Sequence, residues 1–247
     1  MQLSPEFAWN AGDRRQTPKG MLLPGFRKET YWCFSEDRVG TVPEIVEGVV
    51  ERLEAVASWL QRNVWHQGKV EIYLWLMAES YPEVTLPSHL LKAMGDLHVE
   101  LAFEVIPRAF SALAAESGWQ EVSLRVKNPH MSSDEAAKSI GSTLPLAAVE
   151  AGACQRTSST GHWCLSAAPD LELLEEIEWL LDFVADRQAA WRLPEWIGNS
   201  RELRLQWDGS MNTGGIIPPA MLTRMACNDV ELSFCIGSQE SSSPGPS

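Results

Sequence analysis

Apolar residues in this chain switch between two periods, and the switches mark its elements. Over Glu44 to Leu60 they fall at Ile45, Val46, Val49, Val50, Leu53, Val56, Ala57 and Leu60, the spacing of one face of an amphipathic helix. Leu171 to Trp191 repeats that role with Leu173, Leu174, Ile177, Leu180, Leu181 and Val184. Short aromatic, β-branched or alternating runs predict strands over Tyr31 to Ser35, Val70 to Met77, Val99 to Ile106, Glu121 to Val126, His162 to Ser166, Glu202 to Trp207 and Val230 to Ile236. The Leu86-Pro87 and Ile217-Pro218 steps open short helices with proline in the first turn, where its missing N–H costs nothing. Ser132 to Ile140, with a polar start and Gly141 behind it, reads as one more short capped helix.

Sliding the chain against itself shows that these elements recur. Tyr31-Trp-Cys-Phe-Ser35 matches His162-Trp-Cys-Leu-Ser166. In the same register Glu71 to Trp75 falls on Glu202 to Gln206, and Val99 to Phe103 falls on Val230 to Phe234. Between these blocks Leu86-Pro87 meets Ile217-Pro218, Leu91 meets Leu222, Met94 meets Met225 and Trp65 meets Trp196. One ungapped register over so long a stretch predicts two copies of one domain, with a period far above that of solenoid repeats, so that each copy should own a core. The expected fold class is α+β: two tandem copies of a βαβαβαβ sandwich, with helices on one face of mainly antiparallel sheets. The first copy lacks the initial strand and helix of the second, and begins at Leu3-Ser-Pro5, which resembles Leu144-Pro145. The expected organisation is 1–106 for the first repeat, 107–118 for a linking helix, 119–237 for the second repeat and 238–247 for a disordered polar tail.

Composition adds constraints on partners. At 247 residues, 45% hydrophobic and 21% charged, the chain has the makeup of a folded protein long enough for two domains. Its 20 basic against 33 acidic residues leave a net charge of -13, which opposes grip on a phosphate backbone and favours a basic partner. The N-terminal residues show no secretory pattern and no stretch approaches a bilayer-spanning run, so the expected compartment is the cytoplasm, with neither membrane nor nucleic acid as partner. Five cysteines, at 33, 154, 164, 227 and 235, include no CxxC pair and read as reduced, buried thiols.

Motifs for chemistry are sparse. The histidines at 66, 89, 98, 130 and 162 sit in five segments without metal-ligand spacing, so neither metal nor cofactor is expected. His162 and Cys164 share a strand face, but Tyr31 stands at the first copy's equivalent of His162, which points to aromatic packing. There is no nucleophile elbow, no dinucleotide fingerprint and no P-loop, and Gly198 to Arg201 is too short to cradle a phosphate. Gly12-Asp-Arg-Arg15 reads as a surface turn. The eleven tryptophans suit either a large core or binding hot spots.

Carboxylates are better organised. Glu44, Glu47, Glu51 and Glu54 share one stripe of the first long helix, and Glu172, Glu175, Glu178, Asp182 and Asp186 draw a similar stripe on the second. At the helical rise the first stripe carries about one charge per 5 Å, near the spacing along a nucleic-acid strand, and so presents a mock phosphate row to a basic protein. A solvated amphipathic face gives the same pattern. Crowded on one face, these groups lack the contrasting environments that acid and base catalysts need.

Taken in order, Gly12 to Arg15, Thr17-Pro-Lys-Gly20, Tyr31 to Ser35, the long helix, the Val/Ile strand, Leu86-Pro-Ser-His-Leu-Leu91 and Val99 to Val105 resemble a bacterial domain-of-unknown-function family of small cytoplasmic proteins. The similarity covers about residues 3 to 106, and more weakly 120 to 237; it implies a fold and no catalytic site. The acidic tandem chain also resembles the immunity proteins of type VI secretion and polymorphic toxin systems. These resemblances imply a cytoplasmic, antitoxin-like immunity protein, not an enzyme, that binds and blocks a toxin: a nuclease effector with a basic surface. The candidate partner-binding residues are Glu44, Glu47, Glu51, Glu54, Glu172, Glu175, Glu178 and Asp182. The alternative is a small-molecule enzyme or sensor with a site between the two repeats, which a polar cleft holding Arg14, Arg15 or His66 would favour.

Overall fold

A computed structural model describes residues 7–17, 20–35, 39–65, 68–77, 83–106, 119–127, 135, 154–157, 163–167, 171–192, 199–207 and 213–236. The expected linking helix at 107–118, nearly all of the short helix at 132–140, the tail at 238–247, and Leu3-Ser-Pro5 with its proposed match lie outside the described residues. The chain is α+β, and its contacts divide it into two units, Met1–Arg52 and Leu53–Ser247.

In the first unit β1 (Phe7–Trp9) pairs antiparallel with β4 (Tyr31–Cys33), placing Trp9 opposite Tyr31, and their rings stack at 4.4 Å. The connection carries a second hairpin, β2 (Arg14–Gln16) with β3 (Leu22–Phe26). Sequence periodicity misses β1, β2 and β3 because such short strands cannot display an alternation. Gly12-Asp-Arg-Arg15 is the turn into that hairpin: Gly12 takes φ +90, where a side chain would strain, and its N–H donates to the Arg27 carbonyl. Arg27 in turn lies over the Trp9 ring at 3.9 Å.

The expected helix from Glu44 to Leu60 is two helices, α1 (Val42–Glu54) and α2 (Ala57–Trp65). The break is a tight turn in which the Val56 N–H bonds the Leu53 carbonyl, three residues back. Leu171 to Trp191 likewise splits at Arg187 into α4 (Leu173–Asp186) and α5 (Gln188–Trp191).

Apart from the Tyr31–Ser35 block, which lies in the first unit, the matched strands and short helices fall in the second unit. Strand β5 (Glu71–Met77) runs parallel to β7 (Glu100–Ile106), with Glu71 opposite Glu100; β11 (Ser200–Trp207) runs parallel to β13 (Val230–Ile236), with Glu202 opposite Glu231. These registers coincide when the two halves of the sequence are superimposed. So do α3 (Ser88–Asp96) and α6 (Pro219–Cys227), with Pro87 and Pro218 as their N-caps, and the left-handed residues His98 and Asp229 that follow. The expectation of mainly antiparallel sheets therefore needs one amendment in each half: the helix between the paired strands acts as a crossover, and a crossover returns the chain parallel.

Two strands that the sequence reading missed, β6 (Glu83–Leu86) and β12 (Thr213–Ile217), change the architecture. Strand β6 joins β13, pairing Leu86 with Leu232, and β12 joins β7, pairing Ile217 with Leu101. Each half thus gives a strand to the sheet of the other, in matching registers, so the expectation that each copy owns its core does not hold. The resulting sheets run β6-β13-β11-β8-β10-β9 and β12-β7-β5, where β8 is Trp119–Lys127, β9 Cys154–Thr157 and β10 Trp163–Ser166.

Alternation explains the core. In the six-stranded sheet Leu86, Leu232, Leu203, Leu124 and Leu165 form one cross-strand row, and all five are fully buried. Each such side chain contributes about 1.5–3 kcal/mol by leaving water. Phe103 of β7 meets Trp207 and Phe234 edge-on at 5.5 and 5.0 Å, so one aromatic cluster joins side chains of both halves. Helices α3 and α6 pack on each other, and Gly95 makes that possible: a Cβ there would stand 2.2 Å from Thr223 Oγ1.

Candidate functional site

Helix α1 turns Val42, Val46, Val50 and Leu53 inward, which leaves Glu44, Glu47, Glu51 and Glu54 all exposed on one stripe. Glu44 is partly occupied by its own helix start. Its Oε2 accepts from the Thr41 N–H at 2.8 Å and from the Thr41 hydroxyl at 2.9 Å, and these bonds hold its carboxyl below the usual range. Among the described residues Glu47, Glu51 and Glu54 face no ion-pair partner.

The second stripe differs. Glu172, Glu175, Glu178 and Asp182 are exposed on or beside α4, but Arg224 of α6 reaches Asp182 at 2.5 Å and Glu178 at 3.4 Å. Glu175 accepts the Glu172 N–H at 3.2 Å and so serves as a cap. In the shared register Glu178 and Asp182 correspond to Glu47 and Glu51, while Arg224 corresponds to Ala93. The two stripes that look alike in sequence are therefore unlike in charge, one clasped by an arginine and the other not. On the inner side of α4, Glu176 is half-buried near Glu121, and burial together with that neighbouring carboxylate raises its pKa to about 7. Glu121 accepts the Ser166 hydroxyl.

A different surface lies on the three-stranded sheet. Tyr73, Trp75, Met77 and Ile216 are all exposed there, Trp75 at 68%. A shallow, open depression of about 500 Å³ runs over Glu71, Tyr73, Phe103, Glu104, Gly214 and Gly215, formed by strands of both halves. The Tyr73 hydroxyl donates to Glu104 Oε2 at 2.6 Å, and this bond to a carboxylate lifts the phenol above its ordinary pKa. The glycines are needed where β12 passes β7, since a Cβ on Gly214 would come within 2.3 Å of the Phe103 carbonyl oxygen. Sequence reasoning missed this surface. The signal was present in the internal register, where Tyr73 and Trp75 stand at the positions of Arg204 and Gln206.

The corresponding face of the six-stranded sheet is polar and ion-paired. Arg204 bonds Glu83 at 3.0 Å and the Cys235 Sγ at 2.6 Å. Glu231 has a raised pKa from burial and from its like-charged neighbours Glu202 and Asp229. The expectation of buried thiols holds for Cys164; Cys33 and Cys235 are half-buried, and Cys227 is exposed because it ends α6. Arg14 and Arg15 stand exposed on β2, and His66 lies outside the described residues. Among the described residues no group of three metal-capable side chains converges, and no helix is long and apolar enough to cross a membrane. No family model, curated protein or solved structure matches this chain.

Proposed function

We propose that this chain is a cytoplasmic immunity protein that neutralises a bacterial toxin, a nuclease effector with a basic surface, by covering it rather than by chemistry. The observation that carries the reading is the α1 stripe, with four exposed carboxylates and, among the described residues, no cation held against Glu47, Glu51 or Glu54. Such a row attracts a basic surface over distances near the Debye length and raises the encounter rate. The α4 stripe contributes less, because Arg224 already occupies Glu178 and Asp182. In this reading the chain is a duplicated βαβαβαβ unit, its first copy short of a strand and a helix, and the matching strand registers of the two halves support that finer assignment.

The test is co-purification with a catalytically dead toxin encoded beside this gene, followed by association kinetics. Reversing Glu47 and Glu51 to lysine should slow association and flatten its salt dependence, with little change in folding. Absence of a complex at micromolar concentration would overturn the proposal.

A second reading, a small-molecule enzyme or sensor with a site between the halves, is favoured by one observation: the depression carrying the Tyr73–Glu104 pair is built from strands of both. A ligand whose binding is lost on Tyr73→Phe would support it.

A further inference from the structure

We draw no further inference here: the strongest candidate, the exposed face of the three-stranded sheet where Tyr73, Trp75 and Met77 lie beside Glu71 and Glu100, carries nothing, because nothing in the structure shows what covers it and Lys69 already stands 3.6 Å from Glu100.

Discussion

Replacing Gly95 with alanine puts the joint between the two halves to a quantitative test. On a lone helix the change is stabilising by about 1 kcal/mol, because alanine is the better helix former. Here the added Cβ would lie 2.2 Å from Thr223 Oγ1 and 3.2 Å from both the Pro219 carbonyl oxygen and the Thr223 amide nitrogen. Thr223 cannot simply turn aside, since its hydroxyl bonds the Pro219 carbonyl at 3.0 Å, worth about 1 kcal/mol. Even then the two backbone contacts remain, and α3 and α6 must separate. Overpacking of this kind costs about 1–3 kcal/mol, so the expected net effect is a loss of about 1–2 kcal/mol. Urea unfolding, read as a shift in midpoint at unchanged slope, measures it. Thr223→Ala removes the closest atom, and the double variant should recover about half of the loss through favourable coupling. A Gly95→Ala protein as stable as the parent would refute the close packing of α3 on α6.

Three further outcomes are expected. Glu176→Gln should stabilise the protein at pH 8 by about 1–2 kcal/mol and not at pH 4: a carboxyl raised to about 7 in the fold adds stability below its unfolded pKa that is lost as pH rises through 7, and the conversion is discounted here for partial solvent access. Urea unfolding of both proteins from pH 4 to 8 checks it, and parallel curves would count against the burial of Glu176. Glu178→Lys should cost up to about 1 kcal/mol by repelling Arg224, whereas Glu47→Lys should stay within about 0.5 kcal/mol of the parent; equal effects in thermal melts would contradict the different environments of the two stripes. Of Cys33, Cys164, Cys227 and Cys235 in native protein, an aromatic disulfide reagent should modify Cys227 first and Cys164 last, because Cys227 is exposed while burial both hides the Cys164 thiol and raises its pKa; fast modification of Cys164 would contradict that placement.

The long periodic elements were legible in the sequence because their burial is one-sided. Val42 to Leu53, Leu173 to Val184 and Val230 to Ile236 each show the solvent boundary directly as an alternation of residue types. What escaped were segments whose conformation depends on a distant partner. Thr213-Gly-Gly-Ile-Ile217 reads as a poor strand, since glycine weakens strands; its glycines are there for Phe103, which lies far off in sequence. Glu83 to Leu86 is too short to declare a period. The acidic stripes were visible as charge, but not the arginine that clasps one of them, because Arg224 arrives from another helix.

The reciprocal exchange of β6 and β12 also sets an order for synthesis. As the chain leaves the ribosome, Val84 and Leu86 emerge long before Phe234 and Leu232, with which they pair. The three-stranded sheet waits for β12 and the six-stranded sheet for β13, the last two strands to be translated, so the nascent first half carries unpaired strands through most of elongation. That interval is where a chaperone would engage it and where an arrested chain would aggregate. Two separately expressed halves meeting in the same cell should still assemble, each holding the strand the other lacks.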